Sequence, residues 1–108
     1  ATNKSKKDIT TEKAVGAFLF AWIELEKMLK NHDMATSYKD TFIRLNSLVD
    51  VGVLSKDEYN KVYKIRSVRN NLVHGIEMPE NDYLDWYTKE IKELTQSLKN
   101  KRQENNKE

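Results

Sequence analysis

Glycine and proline, the residues that most readily interrupt a helix, occur at only four positions in this chain of 108 residues. These positions are Gly16, Gly52, Gly75 and Pro79. Because β-rich folds need frequent turns, a chain with so few turn formers is predicted to be all-helical with short connections. The length suffices for one packed core and leaves no room for a second. We therefore expect a single all-α domain.

Composition excludes several classes of protein. Apolar residues make up 38% of the chain and charged residues 33%, which is typical of a soluble folded domain and too apolar for a disordered chain. The longest uncharged stretch, Ala14 to Ile23, is about half as long as a membrane-spanning helix. The lack of cysteine excludes disulfide bonds, thiolate zinc sites and thiol nucleophiles, and two histidines cannot form a three-histidine metal site. We expect a cytoplasmic protein that uses no metal or other cofactor and has no membrane partner.

The net charge of +2 is unevenly distributed along the chain. Residues 1–8 contain three lysines and one aspartate, and residues 99–108 contain four cationic and two acidic side chains. The body between these ends is therefore slightly acidic, which disfavours a dedicated binder of duplex DNA. We interpret the two basic ends as flexible and disordered segments, and residues 9–98 as the helical domain.

Hydrophobic spacing predicts four helices. Their expected bounds are Thr10 or Thr11 to Lys30, Ser37 to Asp50, Ser55 to Val73 or His74, and a start between Pro79 and Asn81 that leads to Leu98. The polar segment 31–36 is predicted to be a loop. Because the links are short, the four helices are expected to form an antiparallel four-helix bundle.

The first predicted helix carries apolar side chains on more than one face. Phe18, Trp22 and Leu25 belong to a stripe at helical spacing, whereas Phe20 and Ile23 lie outside it. Such a helix needs a second surface to cover it. A central place in the bundle or a subunit interface would supply one.

The residues around Ser55 form the clearest local signal in the chain. Ser55 can cap a helix, and Glu58, three residues later, can complete a capping box. Leu54 and Tyr59 occupy the two positions of a hydrophobic staple. A helix is therefore predicted to begin here, and Gly75 is its predicted end.

Arg69 is an unexpected residue in the apolar arc of the third predicted helix. At 100° per residue it lies between Ile65 and Val62 on the helical wheel. Arginine rarely enters a bundle core without a partner, because its charge cannot be neutralised. Its side chain can extend to water, pair with an acid of the first helix such as Glu24 or Glu26, or line a cleft that binds an anion. The residues alone leave these three explanations open.

His74 follows Arg69 by five residues, at the predicted end of the same helix. A cation is favoured at a helix C-terminus, so a capping role is one interpretation of His74. A group that titrates near neutral pH beside a permanent cation also suits a site that stabilises a phosphate and moves a proton. The bare spacing of arginine and histidine often arises by chance, so it does not decide between these interpretations.

A longer pattern around these residues is more specific. The segment Arg66-Ser67-Val68-Arg69-Asn70-Asn71-Leu72-Val73-His74-Gly75 resembles the signature of HEPN domains, in which an arginine precedes a histidine by four to six residues and is often followed by a polar residue. The upstream segment Gly52-Val53-Leu54-Ser55, followed by Glu58-Tyr59, is similar to the start of the motif helix in many members. The resemblance covers about residues 10–98.

The resemblance implies a four-helix bundle whose two copies face each other across a composite cleft. It implies a metal-independent endoribonuclease of a toxin–antitoxin or phage-defence system, with RNA as the substrate and an antitoxin or a larger defence complex as a further partner. Arg69 would stabilise the phosphate, His74 would transfer a proton or orient the phosphate, and Asn70 would position one of these two residues or the RNA backbone. Arg66 and Lys61 are candidate RNA contacts. The homodimer is expected to form through the first and third helices.

Three hypotheses follow from the sequence. The first is an RNA-cleaving homodimer, and the second is a non-catalytic HEPN module that binds nucleotide or RNA or joins a larger complex. The third is a plain helical interaction domain in which Arg69 pairs with an acid. One branch of the family has a tyrosine, modified by a partner nucleotidyltransferase, at the place of Ile76, so that branch is disfavoured. His32 lies in the predicted loop and is assigned no role.

Overall fold

Helices account for all regular structure in residues 6–33 and 45–106, the part of the chain that the computed structural model describes. They are α1 (Lys6–Asp33), α2 (Leu45–Asp50), α3 (Lys56–Val73) and α4 (Asn81–Asn106). The predicted all-α class is confirmed. None of these helices combines the length and the apolar character that crossing a bilayer requires.

The two long helices, α1 and α4, make the most extensive helix contact in the described chain. At 1.5 Å per residue they are about 42 and 39 Å long. The molecule measures 57 × 26 × 24 Å. Ion pairs join α4 to α3 through Lys101 and Glu58, and through Glu90 and Lys61. The beginning of α3 thus lies beside the part of α4 between Glu90 and Lys101.

One hydrophobic core contains side chains from all four helices. Its members in the helices include Phe18, Trp22, Leu25 and Leu29 of α1, Leu45 and Leu48 of α2, Val62 and Ile65 of α3, and Leu84, Ile91, Leu94 and Leu98 of α4. The apolar stripe predicted for α1 is confirmed, and the buried residues of α4 form a corresponding stripe at helical spacing. Phe20 and Ile23 are 67% and 47% exposed. The described residues therefore leave part of the second apolar face of α1 uncovered.

The beginning of α3 is fixed by the predicted capping box. The Ser55 hydroxyl accepts a hydrogen bond of 3.1 Å from the Glu58 N–H, and the Glu58 carboxylate accepts one of 2.9 Å from the Ser55 N–H. Leu54 is buried and Tyr59 packs against the core, as the staple positions require. Two of the otherwise unsatisfied donors at this helix end are therefore bonded.

The end of α3 is a Schellman motif built on Gly75. The backbone of Gly75 is left-handed, with φ of 68°. The N–H of Ile76 donates to the carbonyl of Asn71 at 2.9 Å, and the N–H of Gly75 donates to that of Leu72 at 3.2 Å. A side chain at Gly75 would strain this backbone. The predicted end of the helix at Gly75 is thus confirmed, and His74 is the C-cap residue.

α1 is longer than predicted at both ends. It begins at Lys6 rather than at Thr10 or Thr11, and it includes residues 31–33 of the predicted loop, among them His32. No glycine or proline interrupts these extensions, so nothing local ends the helix there. Residues 6–8 of the N-terminal segment expected to be flexible are therefore helical. Of the predicted helix Ser37 to Asp50, the part Leu45–Asp50 is helical and residues 37–44 lie outside the described residues.

α4 continues to Asn106, which corrects the prediction of a flexible tail from residue 99 onward. Lysine, arginine, glutamine and glutamate dominate this extension, and all four are strong helix formers. A long-range contact also holds it, because Lys101 Nζ donates to the Val53 carbonyl and lies 3.4 Å from the Glu58 carboxylate. A lysine bound in this way is indistinguishable in sequence from a solvated one.

Replacing Ser55 with alanine should lower the free energy of unfolding by about 1 kcal/mol, because the Glu58 N–H loses its acceptor. Urea unfolding followed by circular dichroism measures this change. Ser67→Ala is the matched control, since Ser67 is exposed in the interior of the same helix. It should leave stability unchanged or raise it slightly. Equal losses in the two variants would contradict the capping role of Ser55.

Candidate functional site

Arg69 lies in the part of α3 where the apolar side chains change from buried to exposed. Val62 and Ile65 are buried, Leu72 is half-buried and Val73 is 52% exposed. Arg69 itself is half-buried. The apolar arc that surrounds Arg69 on the helical wheel is thus only partly covered by the described residues. This explains how the arc accommodates a permanent charge.

Asn70 orients the side chain of Arg69. The Nη1 atom of Arg69 donates a hydrogen bond of 3.0 Å to Oδ1 of Asn70, in partly buried surroundings. Reduced contact with water strengthens such a bond. The structure thus brings the first two motif residues together. The predicted positioning role of Asn70 has a geometric basis, and its part in a reaction stays a prediction.

A carboxylate of α1 lies within the electrostatic reach of Arg69. Glu26 is half-buried. Burial raises the pKa of Glu26 above its ordinary value, and the charge of Arg69, a hydrogen bond from the Trp22 side chain and the charge of Arg66 lower it, with a net rise. The two arginines thus partly offset the cost of placing this carboxylate away from water.

The charges around Arg69 favour Glu26 over Glu24 as the acid that it attracts. Glu26 interacts with Arg69, whereas Glu24 pairs with Lys27 of the same helix at 3.5 Å and is substantially exposed. Exposed pairs of this kind add little to stability. Arg69 therefore attracts the Glu26 carboxylate through its charge, and its half-buried side chain also reaches the surface of the molecule.

His74 is exposed at the end of α3. Its backbone N–H donates to the Asn70 carbonyl at 3.0 Å, so its place in the chain is fixed while its side chain faces solvent. Five helical positions separate it from Arg69, which corresponds to about 140° around the helix and about 7.5 Å along it. The two side chains thus leave one α3 helix in different directions.

The two candidate RNA contacts lie on different sides of α3. Lys61 is exposed and forms an ion pair of 3.1 Å with Glu90 of α4. The hydrogen bond to Glu90, reinforced by the charge of Glu90, raises the pKa of Lys61. Arg66 is half-buried and acts on Glu26 of α1. The structure therefore does not join Lys61 and Arg66 into one basic surface, and their role toward RNA stays a prediction.

The aromatic residues on the outer face of α4 were missed by sequence reasoning. Tyr83 and Trp86 are 62% and 51% exposed, although their neighbour Leu84 is fully buried. Both lie outside the apolar stripe of α4, which includes Leu84 and Ile91. Large aromatic side chains outside a helix stripe were the available signal, of the same kind that singled out Phe20 in α1.

No cluster of three or more histidine, aspartate or glutamate side chains suited to a metal ion occurs within residues 6–33 and 45–106. Comparisons of the chain with protein-family models, with curated proteins and with solved structures found no match. The functional assignment therefore depends on the geometry described above and on the sequence pattern.

The Glu26→Gln variant should gain stability relative to the unchanged protein as the pH rises from about 4 to about 7. Because the pKa of Glu26 is raised on folding, the contribution of Glu26 to stability is fully present below its ordinary value of 4.5. It is lost as the pH rises through the folded pKa. Glutamine does not titrate, so the difference between the two proteins grows across this range.

Urea unfolding at both pH values measures this difference. Glu24→Gln removes a carboxylate from an exposed position of the same helix and serves as the control. A stability difference for Glu26→Gln that shrank with rising pH would show that the attraction of Arg69 and Arg66 outweighs burial.

Proposed function

We propose that this chain is a metal-independent endoribonuclease of HEPN type, an antiparallel four-helix bundle that acts as a homodimer. The observation that carries the proposal is the half-buried Arg69, oriented by Asn70 at 3.0 Å on the helix that ends with an exposed His74. A cation held in place can stabilise the charge on a phosphate, and a solvent-facing imidazole can transfer a proton, so the two groups suit phosphodiester cleavage. The resemblance to the HEPN signature assigns these same residues to that reaction.

The proposed reaction uses the RNA itself as the nucleophile. The 2′-hydroxyl attacks the adjacent phosphorus, forming the bond from phosphorus to O2′ and breaking the bond from phosphorus to O5′. A base accepts the proton of the 2′-hydroxyl, and an acid donates a proton to O5′. The products are a 2′,3′-cyclic phosphate and a 5′-hydroxyl. DNA lacks the nucleophile, so the proposed substrate is RNA.

Within this scheme Arg69 stabilises the charge that develops on the phosphate oxygens. His74 exchanges a proton with O2′ or O5′, because an imidazole can do so near neutral pH. Asn70 holds the guanidinium of Arg69 in place. Arg66 and Lys61 are the proposed contacts to the RNA backbone. Lys61 also forms an ion pair with Glu90.

In this proposal a second copy of the chain completes the site, because one copy directs Arg69 and His74 to different sides. Arg69 and His74 leave α3 about 140° apart, so a composite cleft between two copies is a way to bring both against one phosphate. Apolar side chains for such a contact are available on α1 and at the end of α3. Phe20, Ile23 and Val73 are 67%, 47% and 52% exposed. Burying them would favour association through the first and third helices.

The second candidate is a non-catalytic HEPN module that binds RNA or nucleotide or joins a larger complex. The observation that favours it is the interaction of Arg69 with Glu26, which gives this arginine a structural task. For the catalytic function we propose a toxin–antitoxin or phage-defence setting in the cytoplasm, with an antitoxin or a defence complex as a partner.

The decisive experiment is RNA cleavage by the purified chain in excess EDTA. The unchanged protein should yield fragments that end in a 2′,3′-cyclic phosphate. Arg69→Ala and His74→Ala should each slow cleavage at least about 100-fold, because each removes a group needed in the transition state. Lys56→Ala is the matched control, since it removes an exposed cation from the beginning of the same helix and should cleave normally.

Folding measurements on the same variants separate the hypotheses. RNA binding without cleavage by a dimeric protein, unchanged in His74→Ala, would favour the non-catalytic module. Loss of several kcal/mol of stability in Arg69→Ala, with RNA cleavage retained, would assign Arg69 a structural role only. Normal folding together with lost cleavage is the result that we expect for a functional site.

Phe20→Lys should convert the proposed dimer into a monomer and reduce cleavage in parallel. The substitution should preserve the fold, because Phe20 is 67% exposed in the single chain. Sedimentation velocity measures the oligomeric state. Val51→Lys is the control, since Val51 is 71% exposed outside the proposed interface. A parent protein that cleaves RNA as a monomer would contradict the composite cleft.

A further inference from the structure

Two adjoining cavities lie where the later part of α3 meets the beginning of α4. The first, of about 560 Å³, is lined by Lys64, Glu80, Asp82, Tyr83, Trp86 and Tyr87. The second, of about 390 Å³, shares Glu80, Tyr83 and Tyr87 with the first and adds Val68, Asn71, Glu77, Met78 and Pro79. Because the cavities share three residues, they form one continuous surface depression. We name it the α3–α4 groove.

Aromatic rings form the walls of the groove. Tyr83 and Trp86 are 62% and 51% exposed, whereas Tyr87 is half-buried and packs against the core. The rings of Trp86 and Tyr87 are 5.0 Å apart and meet edge to face at 70°. Trp86 thus packs on one side against a ring that the core holds. An exposed tryptophan beside a cavity is a common feature of binding sites.

The charge of the groove is negative. Three carboxylates, Glu77, Glu80 and Asp82, line it together with one cation, Lys64. In the described part of the chain, none of the three carboxylates forms an ion pair. Phosphate groups would be repelled by this arrangement, whereas a cation would be attracted by the carboxylates and by the faces of the rings.

We propose that the α3–α4 groove binds an arginine side chain in an extended basic segment of a partner protein. The planar guanidinium can stack on the ring of Trp86 or Tyr83 and donate hydrogen bonds to Glu80 or Asp82. The second cavity, with Val68, Met78 and Pro79, suits an aliphatic side chain that neighbours the arginine. Neither feature depends on the proposed nuclease function.

A partner protein fits the groove better than the basic C-terminal end of the same chain. The groove lies at the beginning of α4, and the helix extends for 26 residues to Asn106. At 1.5 Å per residue the end of α4 is about 39 Å away. Apart from Lys64 and Asn71, the side chains that line the groove are acidic, aromatic or apolar, which suits a basic peptide with an apolar neighbour.

Fluorescence of Trp86 can test this proposal on the full chain. The chain contains two tryptophans, and the other, Trp22, is 2% exposed in the core. The probe is the peptide acetyl-Arg-Leu-Arg-amide, compared with acetyl-Glu-Leu-Glu-amide and with a uridine hexanucleotide. Of the three probes, only the basic peptide is expected to cause a saturable change of Trp86 emission. It should be lost in Trp86→Phe and weaken as the salt concentration rises.

Substitution of the carboxylates tests the charge of the groove while the tryptophan signal is kept. The double variant Glu80→Gln, Asp82→Asn should bind the basic peptide at least about tenfold more weakly, because both anions are removed. Asp85→Asn is the matched control, since Asp85 is exposed on α4 outside the groove. It should bind the peptide with unchanged affinity.

Four results would overturn the proposal. The first is no saturable change with the basic peptide, and the second is an equal response to the acidic peptide. The third is saturable binding of the hexanucleotide that competes with the peptide, which would make the groove an RNA contact. The fourth is a change of Trp86 emission with protein concentration alone, which would assign the groove to a second copy of the chain. Each result is separate from the outcome of the cleavage experiment.

Discussion

The packing of α1 against α4 is the interaction on which the rest of the structure depends. It unites the two longest helices and contributes most of the buried apolar side chains. α3 is held beside this pair through the buried Val62 and Ile65, and further along through the half-buried Val68 and Leu72. Burial ends at Val73, and the motif residues lie between Ile65 and this point or just beyond it. Their partial exposure is thus a consequence of where the core ends.

Burial and neighbouring charges shift the pKa of Glu26 in opposite directions. Glu26 is drawn toward its neutral form by burial and toward its ionised form by Arg69 and Arg66, and burial has the larger effect. Removing either arginine would leave Glu26 with less compensation. The same side chain of Arg69 is held by Asn70 at the surface. One arginine therefore offsets part of the cost of burying Glu26 on α1 and also presents a cation at the surface.

Features that depend on neighbours within a turn or two of the chain could be predicted from the sequence. The apolar stripes, the capping box of Ser55 and the left-handed end at Gly75 are of this kind, because local spacing determines them. For the acid that Arg69 attracts, the sequence could only name two candidates, Glu24 and Glu26, since the choice depends on how α1 is rotated relative to α3. The α3–α4 groove could not be foreseen, because its walls come from helices whose relative placement no local pattern encodes.

The bond from Lys101 to the Val53 carbonyl has a consequence for where this domain can be cut. It ties the last turns of α4 to the connection that precedes α3, and it adds a charge beside Glu58 of the capping box. A fragment that stopped at Leu98, where the apolar stripe finishes, would keep every large core residue of α4. It would nevertheless lose the hydrogen bond to Val53 and the charge of Lys101 beside Glu58, so the N-terminal end of α3 would keep its capping box without this support from α4. A boundary drawn at the last core leucine would therefore remove a polar contact that the apolar pattern does not reveal.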